Sequence, residues 1–238
     1  MKKSISNDAF DKLADAYSAQ TETKPHNAYY ERPATISLIE EVDGRDILDA
    51  GCGAGFYSKW LLDRGARVVA IDASENMLLH ARKRTENRAA YYHANLEENL
   101  SFLDAESFDG ILSALAIGYV RDQNALFAEF SRLLRAGGWF VFSTEHPFFS
   151  YRYFKLENYY ETQEVSCYWT GFGGQVCMPG YYNSLSTICD ALSKNGFVIE
   201  TMIEPKPTEE FRAADPEKYE RLMKFPHFMC LKARKKHR

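Results

Sequence analysis

The chain has 238 residues, of which 45% are hydrophobic and 26% charged, an ordinary globular composition at a length that fits one large α/β unit whose core needs no disulfide or metal staple. A net charge of -4 argues against any chain-wide attraction to nucleic acid or to an anionic membrane. Five cysteines without a Cys-x-x-Cys pair speak against a disulfide framework or zinc site and for a reducing cytoplasm, and no apolar run forms a signal core or approaches the about 20 residues of a membrane helix.

In chain order, 6–20 and 27–41 read as helices, with Pro33 early in the second, where a missing N–H is tolerated. A regular alternation follows. Residues 45–50 form a short apolar strand, 53–64 a helix ending near Gly65, and 67–72 a strand rich in β-branched residues. Ser74 caps the next helix, whose Met77, Leu78 and Ala81 share one face. Residues 89–93 and 108–114 are the third and fourth strands. A helix over 122–135, closed by Ala136-Gly137-Gly138, leads into a fifth strand at 139–144. Short buried strands alternating with helices make βαβ units, and right-handed crossovers then give a doubly wound, three-layer α/β/α fold.

After Thr144 the alternation breaks. Residues 146–183 are dense in aromatics, among them Phe148, Tyr160 and Trp169, and carry Gly171, Gly173, Gly174 and Gly180. This stretch is expected to be an insertion over the sheet edge rather than a second domain. A helix over 184–194 is closed by Asn195-Gly196, and 197–203 and 225–232 are the last two strands. Between those two strands, Pro205, Pro207 and Pro216 interrupt any clean crossover helix. A return without a crossover makes the last strand of a seven-stranded sheet antiparallel. The basic run 232–238 is read as a solvated tail.

The first strand runs into Asp49-Ala50-Gly51-Cys52-Gly53-Ala54-Gly55. Alternate glycines let the backbone turn sharply and approach a ligand, and the following helix points free N–H groups at the turn. About 20 residues on, as adenosine-binding frames require, Asp72 ends the second strand, where a carboxylate accepts both ribose hydroxyls. The competing reading of Asp72 is a cap of the next helix. Dinucleotide sites read G-x-G-x-x-G; here the spacing is G-x-G-x-G behind an acid. Asp49 would repel a pyrophosphate and attract an ammonium, which favours an adenosyl amino acid over NAD.

With these residues assembled, 47–58 resembles the first motif of the class I S-adenosylmethionine (SAM)-dependent methyltransferases of the small-molecule type. Residues 68–74, 93–98 and 107–120 are similar to the next three motifs, and 133–148 to the segment carried into strand five. The resemblance implies a seven-stranded Rossmann-like fold and an enzyme that uses SAM and releases S-adenosylhomocysteine (SAH). It places Gly51, Cys52 and Gly53 by the methionine moiety with Asp49 near its amino group, and Asp72 on the ribose. Ala73, Met77, Asn95 and Leu96 would surround the adenine, and Ser113 and Ala114 would lie under the methionine chain. Many relatives carry His where this chain has Gly118. The leading helices would fold over the cofactor, with Tyr17 and Tyr30 covering it and Arg32 on its carboxylate; amphipathic packing and a surface arginine are the alternative.

Strand ends are where open α/β sheets place ligands, so Glu145 and His146 are the catalytic candidates: His146 takes a proton from the acceptor and Glu145 orients it or binds substrate. Their alternative is a structurally satisfied turn. Tyr151, Tyr153, Trp169, Tyr181 and Tyr182 are expected to line a substrate pocket rather than fill a plain lid core. The division is then one domain, 1–238: a lid (1–44), a cofactor core (45–144), a substrate-side insertion (145–183) and the last helix and strands (184–238). The reaction read from this is methyl transfer to a small-molecule acceptor by in-line displacement, with no metal and no nucleic-acid or membrane partner. An NAD-dependent oxidoreductase on the same frame and a non-catalytic SAM-binding partner subunit are the alternatives.

Overall fold

Each strand of the central sheet is a short apolar run, and each helix between them offers one apolar stripe. The computed structural model describes residues 2–237; Met1 and Arg238 lie outside the described residues. The chain begins with α1 (Asn7–Gln20), a π-helical turn at Asn27–Glu31 and α2 (Arg32–Leu38), which has Pro33 in its first turn. The helix expected over 27–41 is therefore split and ends three residues early. Proline displaces the carbonyl four residues before it, and the widened turn absorbs the displacement.

The alternation follows as β1 (Asp46–Ala50), α3 (Phe56–Leu62), β2 (Arg67–Asp72), α4 (Glu75–Arg84), β3 (Ala90–His93), β4 (Phe108–Ala114), α5 (Gln123–Leu133) and β5 (Leu134–Glu145). Two boundaries differ from expectation. α3 starts at Phe56 rather than Gly53, because Gly55 caps it at φ 80°. A Cβ on Gly55 would lie 2.7 Å from the Ala81 backbone, so the glycine lets α3 and α4 meet. α5 stops at Leu133 and the chain enters β5 at once, Leu134 pairing with Phe108 ahead of a register shift. The Ala136-Gly137-Gly138 stretch is thus strand, not helix closure.

The insertion contains α6 (Pro147–Tyr153) and an antiparallel hairpin of β6 (Gln163–Trp169) and β7 (Val176–Tyr182). The chain closes with α7 (Leu185–Lys194), β8 (Phe197–Ile203), α8 (Glu209–Ala214), α9 (Pro216–Leu222) and β9 (Phe228–Lys235). The sheet order is β3-β2-β1-β4-β5-β9-β8; β1 to β5 are parallel, and β9 runs antiparallel to both neighbours. The α/β/α, doubly wound, seven-stranded architecture with an antiparallel last strand is as expected.

Helices α5 and α7 cover one face of the sheet through Phe127, Phe130, Ile188 and Leu192, while α2, α3 and α4 cover the other through Leu38, Leu61 and Leu78. Burying one such side chain stabilises the fold by about 1.5–3 kcal/mol.

The expected basic tail is a correction. β9 lies three residues later than its predicted range and includes Lys232, Arg234 and Lys235. Leu231 and Ala233 point into the core, and the alternate Lys232 and Arg234 pair with Glu40 and Glu200 on the other face. Lys235 is buried with its Nζ donating to the Leu134 carbonyl at 2.7 Å. Charge there closes the sheet rather than reaching into solvent.

Candidate functional site

The carboxyl ends of β1, β2, β4 and β5 meet in a crevice, where doubly wound sheets bind ligands. A cavity of about 520 Å³ opens there, in the range of ligand pockets. Above it, α1 and the β6–β7 hairpin are laced together by rings. Phe10 meets Trp169 edge-on at 6.0 Å and Tyr119 at 5.2 Å, and Tyr17 meets Phe172 at 5.4 Å. Lys24 ties the two parts further, lying 3.3 Å over the Phe172 ring and donating to the Gly171 carbonyl.

At the foot of the cavity the chain leaves β1 through a sharp turn, with the N–H groups of Gly51 and Cys52 both donating to the Ile71 carbonyl. Gly51 has φ 81°, and a Cβ on it would come 2.4 Å from that of Ala116, so only glycine fits. The turn is pinned to the second strand because Gly53 N–H donates to Asp72 Oδ2 at 2.8 Å. Ser74 N–H donates to Asp72 Oδ1 at the same distance. Asp72 therefore orders the start of the next helix, and it also lines the cavity. Burial pushes its carboxyl above the usual carboxylate range, and the two backbone donors oppose that.

Tyr17, Gly51, Gly53, Asp72, Ala73 and Met77 all stand on the cavity wall, as do Asn95, Leu96 and Ala114. Asn95 does not hold a free amide: its Oδ1 accepts from Glu97 N–H and its Nδ2 donates to the Lys2 carbonyl. Other expected residues lie behind the wall. Asp49 is buried, accepts from Ser58 Oγ at 2.5 Å, and is pushed up to about 7 by burial and by the Asp72 charge. Cys52 is buried, and Ser113 spends its hydroxyl on the Ala50 carbonyl at 2.9 Å.

Tyr30 is fully enclosed against Phe211 and Phe228, and its oxygen accepts from His227 N–H at 2.8 Å; the cavity does not reach it. Arg32 is buried rather than on the surface. It lies 3.4 Å over the Phe56 ring and donates through Nη2 to the Thr21 carbonyl at 2.9 Å. Its Nε–H is buried with no partner.

In the other half of the cavity, Glu145, Tyr153, Trp169, Tyr181 and Tyr182 line the wall. Glu145 opens onto the cavity, accepts from Ser150 Oγ at 3.0 Å, and is pushed above its ordinary range by burial. Tyr151 packs behind, against Tyr159 and Tyr182. His146 turns away from the cavity, only 4% exposed. Its Nδ1 accepts from Phe148 N–H at 3.2 Å and its Nε2 lies 3.0 Å from Glu204 Oε1, so both ring nitrogens are engaged. Burial lowers its affinity for a second proton, against the pull of Glu204.

The imidazoles that do face the cavity are His26 and His227. His227 stacks on Phe149 at 4.0 Å, and burial lowers it to about 4, so it is neutral near pH 7. Pairing of Glu145 with Phe228 across β5 and β9 brings it there. The only signal for it in the sequence was that strand pairing. Gln123 and Asn183, also missed, line the far wall with one buried amide atom each unpartnered, Oε1 and Nδ2. A further missed residue is Glu31, which accepts from Thr35, Tyr57 and Ser143 and so ties α2 and α3 to β5 under the cavity.

An adenosyl amino acid fits the first half of this cavity. The residues on its wall offer a carboxylate at the end of β2 and a glycine turn with room above Gly53.

Comparisons with known proteins agree. The model of the methyltransferase domain family matches residues 48–142. A malonyl-[acyl-carrier protein] O-methyltransferase of Hamiltonella defensa is 33% identical over 135 residues, 56% of this chain, and the match spans about half (51%) of that relative's length. A solved structure from Listeria monocytogenes shares the fold, with a TM-score of 0.77 at 22% identity over 94% of this chain and 99% of its own. The SAM-dependent methyltransferase of Mesorhizobium loti superposes with a TM-score of 0.70 at 32% identity, covering 86% of this chain and 97% of that one. A methyltransferase matched at that identity over nearly its whole length fixes the family: the chain belongs to the SAM-dependent methyltransferases and is an enzyme that uses SAM as its cofactor.

Proposed function

We propose that the acceptor is a small molecule, methylated by in-line displacement inside the cavity. The observation that supports this most is continuity: one cavity runs from Asp72 and the glycine turn to Glu145 and the aromatic insertion, under the laced roof of α1 and the hairpin. In this reading 1–44 is the lid, 45–144 the cofactor core, 145–183 the acceptor side and 184–238 the closing strands.

SAM supplies a methyl group already activated by its sulfonium charge. The chain has to orient and to exclude water, and holding two reactants in line contributes up to about 7–11 kcal/mol in ideal cases. Asp72 would take the ribose hydroxyls and the walls at Ala73, Met77 and Leu96 the adenine. Asp49 would act on the ammonium from beneath the turn. Tyr17 closes the top. Tyr153, Trp169, Tyr181 and Tyr182 would hold the acceptor. His146 is a structural residue here, since its nitrogens are already engaged.

Malonyl-acyl-carrier protein, named for the relatives, is a second reading, and their match confines itself to about half of this chain. An anionic malonyl group would meet Glu145 in the acceptor half, which favours a different acceptor. Among the described residues no helix is long and apolar enough to cross a membrane. The five cysteines are unpaired.

The test is to incubate the protein with methyl-labelled SAM and a cell extract separated by mass. A labelled low-mass product other than SAM, absent when the protein is omitted, is expected, and still forms with His146→Ala. Label confined to protein or nucleic acid would overturn the reading.

A further inference from the structure

Among the described residues neither cavity carboxylate pairs with a cation, but Asp72 is held by two backbone N–H groups and Glu145 by one neutral hydroxyl. Glu145 ends β5 at the acceptor side, and its accessible surface opens onto the cavity. Its one hydrogen-bond partner is the Ser150 hydroxyl, a neutral donor. Among the described residues no cation pairs with it.

The cavity's other basic groups are engaged or uncharged. Lys24 is held by the Gly171 carbonyl and the Phe172 ring, and Lys218 pairs with Asp215 at 2.7 Å. Burial holds His26 and His227 below the usual imidazole range. The Glu145 charge is felt instead by Tyr119 and Cys167, whose acidities burial first and that charge second suppress. A carboxylate open to the cavity whose one partner is a neutral hydroxyl is free to pair with a ligand that brings a positive charge.

The surroundings suit such a ligand. Tyr119, Phe149, Tyr153 and Trp169 share the cavity wall with Glu145, and aromatic faces attract cations through their quadrupole. An anion would meet the carboxylate and the negative ring faces together. A neutral hydroxyl would satisfy one lone pair and leave the charge unanswered.

We propose that the acceptor is an amine-bearing molecule whose protonatable nitrogen is held by Glu145 within the aromatic wall, an inference that rests on the small-molecule methyltransferase reading above. Glu145 is in this account a substrate-binding residue that selects for charge.

Three probes of one shape separate the possibilities: phenethylamine, phenethyl alcohol and phenylacetate, titrated by calorimetry near neutral pH into the full chain saturated with SAH. Phenethylamine is expected to bind about tenfold tighter than the alcohol, with phenylacetate weakest. Glu145→Gln is expected to remove that preference while leaving SAH affinity and the melting temperature close to the parent's. Phenylacetate binding as well as the amine overturns the inference, as does an amine preference that survives Glu145→Gln. Absence of amine binding while SAH binds overturns it too. Should Glu145→Gln fail to fold, the probe order on the unaltered chain decides alone. Failure of SAH itself to bind is a separate result, and it contradicts the cofactor site rather than the choice of acceptor.

Discussion

Asp72 is the residue on which the cofactor-site reading depends. Its oxygens order the glycine turn and the cap of α4, and the same carboxylate faces the cavity. Asp72→Ala is therefore expected to weaken SAM binding by about 1.5–3 kcal/mol for each charge-assisted bond to the ribose. Calorimetry checks this, and unchanged affinity would contradict the assignment. Asp49 makes a pH-dependent prediction. Burial pushes it up to about 7, so the folded chain holds this proton more tightly than the unfolded chain, where an ordinary Asp has a pKa of about 3.9. Its contribution to stability is full below about pH 4 and is lost as pH rises through about 7. A ligand ammonium favours the ionised form, so SAM affinity should rise over the same upper range, with proton uptake by buffer. Asp49→Asn should flatten both trends, read by thermal melts and by calorimetry in buffers of different ionisation enthalpy; a pH profile identical to the parent's would contradict the role. These acids were legible in the sequence because each ends a β-branched or apolar strand. Glu31 and His227 were not, since their partners Ser143 and Phe149 lie more than fifty residues away in the chain.

At the scale of elements, the roof depends on a few rings. Phe10 meets Tyr17, Tyr119 and Trp169 edge-on, and such pairs are worth about 0.5–1.5 kcal/mol each beyond their buried area. Phe10→Ala should therefore speed hydrogen exchange in β6 and β7 and weaken SAH binding, with little effect on exchange in β1, β4 and β5. Uniform loss of protection across the sheet would instead make Phe10 a global core residue. The hairpin itself was not legible. Its strands were seen as an aromatic stretch: Gly171, Gly173 and Gly174 mark the turn, but the alternating positions of β6 are only half-buried and include Gln163 and Cys167, so the period of two is not carried by apolar residues. Strands β2 and β4 were placed residue for residue, β2 between Gly65 and Ser74 and β4 after the polar Glu106-Ser107. β9 was not, since Lys232, Arg234 and Lys235 disguise a strand whose charges are answered by Glu40, Glu200 and the Leu134 carbonyl.

At the scale of the whole molecule, the fold followed from alternation and the handedness of crossovers, and the antiparallel last strand from the prolines that deny it a crossover helix. The cavity's two halves were each anticipated from strand ends. The ring contacts that join α1 to the hairpin over them were not, because they link the first and the last thirds of the chain. That union carries the central claim, that methyl transfer takes place inside an enclosed site. A crystal structure of the SAH complex tests it most directly. The account predicts the ribose on Asp72 and the sulfur facing the enclosed space beside Glu145, with Phe10 still against Trp169. SAH bound with its sulfur at an open, flat surface, or away from Asp72, would contradict it.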